Sequence, residues 1–243
     1  MPSFFISDVH LRLDRPERGR RLARFLEGVA PGDDLTIVGD LCDFWFAARQ
    51  RLGDITKCEG LLALIRRRDA GGRTTVLLGN HDTWLGSFYR ETFDAEVVDE
   101  PLDVVSHGLR IRMVHGHLLG ARSAWKGAME SRAFLHGFGL LPSLVADRLA
   151  LKLKRSNARL LEKTDARHRV IYRQYADSVA GEIDLLVVGH IHVQWDDPGP
   201  SPRLVVLGGW HSATNYLRVN GSGAHLVNIP SHEGQRGAGM DSA

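Results

Sequence analysis

Five short apolar runs, each ending abruptly in Gly, Asp, Asn or His, constrain this chain more than any other feature. They are FFISDVH from Phe4, LTIVGDL from Leu35, TTVLLGNHD from Thr74, LRIRMVHGH from Leu109 and LLVVGHIH from Leu185. Each has the length and Val/Ile/Leu content of a buried strand and is stopped by turn-forming residues. Between the first two, RPERGRRLARFLEGV sets Leu22, Phe25, Leu26 and Val29 on one helical stripe, with its charges largely on the other face. CEGLLALIRRR from Cys58 repeats the pattern. Strand alternating with helix predicts an α/β fold with helices packed on a sheet. RLVVLGGW, NYLRVN and AHLVNI, with no long helix between them, are expected to be neighbouring strands that finish that sheet.

The rhythm breaks over 118–181, which has helical patterns and no convincing strand. There Leu141, Val145, Leu149 and Leu153 form a stripe flanked by Arg148, Lys152 and Arg155. Two readings stand: a helix packed on the body with a solvated basic edge, or an apolar groove whose cationic mouth suits an amphiphilic anion. With 43% apolar and 25% charged residues, the chain fits one domain over 1–230. A polar, Gly-rich tail over 231–243 is expected to be disordered. A net charge of +2 gives no general attraction to nucleic acid, so no nucleic-acid partner is expected, and no obligate protein partner is inferred. Cys42 and Cys58 are too few and too far apart for a disulfide framework, which points to two small core residues in a reducing compartment. No run approaches the roughly eighteen apolar residues of a spanning helix, so a cytoplasmic location is expected.

In open α/β sheets, ligands collect where loops leave the carboxyl ends of strands, and the unusual polar residues fall there. They are Asp8 with His10, Asp40, Asn80 with His81, His115 with His117, and His190 with His192. Alternation in Asp8-Val9-His10 and His190-Ile191-His192 turns each pair to one side of an extended segment, the spacing of chelation. Imidazole nitrogens mixed with carboxylate and amide oxygens suit a divalent transition ion, with Mn expected first and Fe or Zn also accommodated, over Ca or Mg. Asp8, His10, Asp40, Asn80, His115, His190 and His192 are more donors than one tetrahedral ion takes, so two ions are expected. Any one of these residues alone could be a turn or core residue; agreement across five runs argues against that.

In order, SDVH, GDLCD, GNHD, VHGH and GHIH resemble the five motifs of the calcineurin-like metallophosphoesterases. The resemblance implies a four-layer αββα sandwich, with 118–181 as a helical cap insertion. It implies Asp8, His10, Asp40 and His192 around one ion, and Asp40, Asn80, His115 and His190 around the other, with Asp40 shared. It makes His81 a catalytic contact to the substrate, oriented by Asp82. The ions would make a water nucleophilic near neutral pH and align it for in-line attack on phosphorus. Within this superfamily the chain resembles the UDP-2,3-diacylglucosamine hydrolases of lipid A assembly, through SDVHL at the start, GDLCDFWF, and the insertion FLHGFGLLPSLVADRLALKLKRSN. That likeness implies an amphiphilic nucleotide-sugar lipid as substrate, acyl chains received by the cap, phosphate contacts from Arg148, Lys152 and Arg155, and peripheral contact with the cytoplasmic face of the inner membrane. His81 and His117 stand where that family often has Arg and Asp. The alternative is a metallophosphoesterase acting on another nucleotide, phosphoprotein or nucleic-acid ester.

Overall fold

Side-chain alternation along the strands decides how the layers stack. The structure, a computed structural model, describes residues 1–43, 55–120, 161–199 and 201–230. In chain order the elements are β1 Ser3–Ile6, α1 Pro16–Glu27, β2 Asp34–Val38, α2 Glu59–Asp69, β3 Thr74–Leu77, α3 Gly86–Phe93, β4 Glu96–Val98, β5 Leu102–Ser106, β6 Leu109–Val114, α4 Leu161–Ser178, β7 Leu185–Val188, β8 Trp195–Asp197, β9 Arg203–Val206, β10 Ala213–Asn220 and β11 Gly223–Pro230. One sheet runs β11-β10-β1-β2-β3-β4 and the other β5-β6-β7-β9-β8.

Alternate residues of each strand face opposite layers. Phe5, Val38, Leu77, Leu217 and Val219 of the first sheet pack against Ile111, Met113, Leu185, Val187 and Val205 of the second. Phe4, Ile6, Leu35, Ile37 and Val76 turn the other way, onto Leu22 and Leu26 of α1, Leu61 and Leu64 of α2, and Tyr89 and Phe93 of α3. On the far side, Val114, Leu186, Val188, Leu204 and Val206 pack on Tyr172, Ala176 and Val179 of α4. The result is helix, sheet, sheet, helix, the layering the resemblance implies. Truncating Leu22 or Leu61, both fully buried, to Ala costs about 2–5 kcal/mol by loss of transfer energy and by the cavity left.

The strands that carry the motifs run parallel within each sheet, β1-β2-β3 in one and β6-β7 in the other. Their carboxyl ends therefore open on one rim, which brings the polar residues of all five runs together. α1 begins with Pro and Glu17 in its first turn and ends at Gly28, with Arg24 in its last turn. Those placements suit the orphan amides and the macrodipole.

Two expectations need correction. The three late segments do not finish a single sheet: β9 pairs in parallel with β7 in the second sheet, while β10 and β11 close the first sheet beyond β1. Apolar content gave their strand character, but only long-range pairing assigns the sheet. The charges of α1 also do not all face solvent. Arg18 and Arg21 are buried, where Arg18 donates to the His10 carbonyl at 3.0 Å and Arg21 to the Trp210 carbonyl at 2.5 Å. Cys42 and Cys58 are buried free thiols, as expected. Arg148, Lys152, Arg155, Phe44, Trp45, Phe46, most of the 118–181 insertion and the 231–243 tail lie outside the described residues.

Candidate metal centre

The site is built on strained turns. Asp8, His10, Asp40 and His190 all lie at left-handed backbone, with φ of 53°, 51°, 54° and 67°. Side chains with a Cβ adopt that region at a cost, and such residues persist where the surroundings over-determine them. The surroundings here are backbone bonds between loops. The amides of Asp8 and His10 donate to the Gly39 and Asp40 carbonyls at 3.2 and 3.0 Å, and that of Trp210 to the Asp8 carbonyl at 3.1 Å. Close approach also demands glycine: a Cβ on Gly79 would collide with Asp40 Oδ1, and one on Gly39 with the His115 ring.

Around Asp8, one oxygen is satisfied and the other is aimed. Oδ2 accepts from the Ser7 hydroxyl at 2.5 Å and from the His190 amide at 2.9 Å. Oδ1 is buried with no hydrogen-bond partner, and it lies 3.6 Å from both His10 Nε2 and His192 Nε2. Those two nitrogens are themselves 3.0 Å apart. A buried orphan oxygen facing two convergent imidazole nitrogens is poorly satisfied by protein alone and is what a cation would complete.

Asp40 links this group to the next. Its Oδ1 accepts the His81 amide at 2.9 Å. Its Oδ2 faces His115 Nε2 at 3.5 Å, His10 Nε2 at 3.8 Å and His81 Nε2 at 4.0 Å. His115 Nδ1 donates to the Val38 carbonyl at 2.9 Å, which leaves Nε2 as the lone-pair nitrogen of the neutral ring, 3.3 Å from Asn80 Oδ1. His190 enters beside them, its ring 5.3 Å from that of His115. Donor atoms of Asp8, His10 and His192, of Asp8, Asp40 and His115, and of His10, Asp40 and His81 each lie within 4.8 Å of one another. The residues present therefore fit a divalent metal centre in both chemistry and placement.

The electrostatics agree. Burial opposes ionising Asp8 and Asp40, but the surrounding imidazoles more than reverse this and hold both carboxyls below their usual range, Asp40 well below. Burial likewise opposes charging His115, yet Asp40, Asp8 and the Val38 carbonyl push it up to about 10. Without metal, a proton answers the negative field of the two carboxylates; a cation competes for the same field. His192 is driven down to about 4 by burial, with His10 and His81 adding to the effect. The shift favours its neutral form.

His81 stands beside Asp40, its Nε2 4.0 Å from Asp40 Oδ2, but the partner that orients its ring is not Asp82. The resemblance assigned Asp82 to this role; in the structure His81 Nδ1 pairs with Asp43 Oδ1 at 2.9 Å. Asp82 is fully buried and accepts instead from the Gly79 amide, the Leu41 amide and the Tyr89 hydroxyl at 2.7, 2.9 and 2.8 Å. It ties the GDLCD loop to the GNHD loop and cannot also turn to its neighbour's ring. Burial and the nearby Asp40 raise Asp82 to about 6. Asp43, the last residue of GDLCD, was legible as part of that motif but not as the partner of His81; it also binds Arg12 at 3.2 Å.

Sequence reasoning missed two further residues. Glu100 accepts the His115 amide at 2.5 Å and stands 3.7 Å from His117 Nδ1, which puts His117 behind the site, beside a carboxylate. His211 follows Trp210 and packs its ring 4.6 Å from that of His192. Glu100 follows a strand of only three residues, too short to mark it, whereas His211 follows the apolar run RLVVLGGW and was legible by the same pattern as the metal donors, as a single His and not a pair.

A buried double cluster of imidazoles and carboxylates at the rim of an αββα sandwich defines a class of metal-dependent phosphohydrolase. A sequence model of the calcineurin-like phosphoesterase family matches residues 1–194, and the chain belongs to that family. Among curated relatives it is similar to the UDP-2,3-diacylglucosamine hydrolase of Hahella chejuensis, 26% identical over 247 residues that cover 96% of this chain and 99% of that one. The enzymes of that name from Nitrosococcus oceani and Shigella dysenteriae serotype 1 are 27% and 28% identical, covering 93% and 95% of this chain and 94% and 100% of theirs. The chain is a hydrolase, and its family implies a dinuclear divalent metal site.

Proposed function

We propose that the protein hydrolyses the pyrophosphate of UDP-2,3-diacylglucosamine, with water adding to one phosphorus and the products being UMP and 2,3-diacylglucosamine 1-phosphate. The observation that carries this reading is the end-to-end match to hydrolases of that name, across a chain in which every metal donor of the family pattern is present. Exposed apolar side chains support it: Leu13, Leu118 and Val193 follow the SDVH, HGH and GHIH motifs and stand in solvent. Isolated exposed apolar residues are ordinary, but three around one polar site suit an amphiphilic ligand.

Asp8, His10, Asp40 and His192 would hold one ion, and Asp40, Asn80, His115 and His190 the other; the mixed donors favour Mn, Fe or Zn, and we take Mn as the first choice. When bound, two such ions supply Lewis acidity toward phosphoryl oxygens and lower the pKa of water. The protein's own groups do the rest. Asp43 fixes the His81 ring with Nε2 toward the site, and with burial opposing but Asp40 and Asp43 prevailing, His81 keeps its proton above its ordinary range. His81 thus offers an N–H to a phosphoryl or leaving oxygen. Asp82 keeps the His81 loop against the Asp40 loop. Arg148, Lys152 and Arg155 are proposed phosphate contacts, and the substrate's two acyl chains bring the enzyme to a membrane surface. No helix among the described residues is long and apolar enough to cross a membrane.

The test is a comparison, on one Mn-loaded preparation, of UDP-2,3-diacylglucosamine, a UDP-sugar without acyl chains, bis(p-nitrophenyl) phosphate and single-stranded DNA. Strong preference for the diacylated substrate is expected; indifference to the acyl chains would direct the assignment to another phosphoester.

A further inference from the structure

Four imidazoles form a continuous row across the mouth of the site. The ring of His81 lies 4.8 Å from that of His10, His10 lies 4.9 Å from His192, and His192 lies 4.6 Å from His211. The inner two are metal-donor candidates. The outer two flank them, and His81 already has a part in the chemistry proposed above. His211, at the other end, has none.

Its position is heavily specified for a loop residue. The Gly209 amide donates to the His192 carbonyl at 3.0 Å and the Trp210 amide to the Asp8 carbonyl at 3.1 Å. Asn215 Nδ2 holds the Gly209 carbonyl at 2.7 Å, and Arg21, reaching from α1, holds that of Trp210 at 2.5 Å. A Cβ on Gly209 would press on His211 Nδ1 at 2.9 Å and on His192 at 3.0 Å, so glycine there lets the two rings close up. The two residues before it are tied to both donor loops, while His211 is exposed and neither of its ring nitrogens has a hydrogen-bond partner among the described residues. A ring held in place with its polar atoms unused points to a ligand at the mouth.

We infer that His211 is a substrate-facing residue, which donates an imidazole N–H to a non-bridging phosphate oxygen on the side of the centre opposite His81. A neutral imidazole always has one N–H to give, so the contact requires no change of protonation. This rests on the phosphoester chemistry of the site and not on which phosphoester is the substrate. It therefore stands or falls separately from the lipid assignment.

The experiment uses full-length Mn-loaded protein as wild type, His211→Ala and His211→Gln. Metal content is read by elemental analysis, and inorganic phosphate affinity by titration calorimetry. Loss of one hydrogen bond to a charged group corresponds to about tenfold. His211→Ala should keep its metal and bind phosphate about tenfold more weakly, with His211→Gln, which retains an N–H donor, recovering most of the loss. The inference is overturned if His211→Ala binds phosphate within about twofold of wild type, if it sheds metal in step with phosphate and so merely props His192, or if metal-loaded wild type binds no phosphate at all.

Discussion

Ion pairs at the two ends of the sheets are built in opposite ways. Around the β5–β6 hairpin, charges complete one another: Arg112 grips Asp103 through two bonds of 2.7 Å and reaches Glu182 at 3.1 Å. Arg110 likewise closes on Asp184 through two side-chain bonds of 2.8 and 3.1 Å. At the carboxyl ends of the strands, Asp8 and Asp40 are buried, their free oxygens face imidazole nitrogens at 3.5–4.0 Å, and one oxygen is left without a hydrogen bond. Pairs that complete each other in solvent contribute little, whereas buried, incompletely matched charges cost stability unless something else joins them. The contrast separates surface upkeep from a place kept ready for cations.

Substitutions at the two ends should therefore differ by orders of magnitude. Asp40→Asn, at the carboxylate common to both groups, should lower turnover by on the order of 10³-fold or more and reduce bound metal, as steady-state kinetics and elemental analysis would register. His81→Ala should slow turnover by roughly 10²-fold with metal content retained, because it gives a proton contact and not a primary ligand. Asp82→Asn should chiefly affect folding: with the Gly79, Leu41 and Tyr89 donors poorly matched, a loss of about 2–3 kcal/mol is expected in chemical denaturation. Arg112→Ala should cost less than about 1 kcal/mol and leave kinetics unchanged. A large loss of turnover at Arg112 would erase the contrast between the two ends.

pH offers a sharper cut. His115 is raised from its ordinary 6.5 to about 10 in the folded protein, against burial, by Asp40 and Asp8. A base that holds its proton more tightly when folded stabilises fully below the unfolded value and loses that contribution as pH climbs through the folded one. The melting temperature of metal-free protein should thus fall between pH 6.5 and about 10, and loading with Mn should remove most of that slope, since the cation replaces the proton. Melting curves across that range, with and without metal, check it.

Much of the centre was legible because each donor follows a strand that its own apolar run announces. Asp8, Asp40 and His190 sit where Ile6, Val38 and Val188 end their strands, so local pattern placed them on one rim. What escaped was settled at long range. The Arg21 to Trp210 contact joins residues 189 apart, and Glu100 reaches the His115 amide across 15. No periodicity encodes such contacts. Short elements escaped too: β4 and β8 are three residues each, with one and two acidic residues, and α3 spans eight, too little for a helical stripe to stand out. The role of Asp82 came from the resemblance, and the long-range packing of this chain sets it otherwise: its carboxylate faces the Leu41 and Gly79 amides.

The most direct test counts ions. Wild-type protein exchanged into Mn and freed of excess should hold about two ions per chain, and Asp8→Ala, which removes the carboxylate between His10 and His192, should hold about one. Wild type that holds none, or an Asp8→Ala variant as fully loaded as wild type, would contradict the central claim that these buried carboxylates and imidazoles are there to cage a pair of cations.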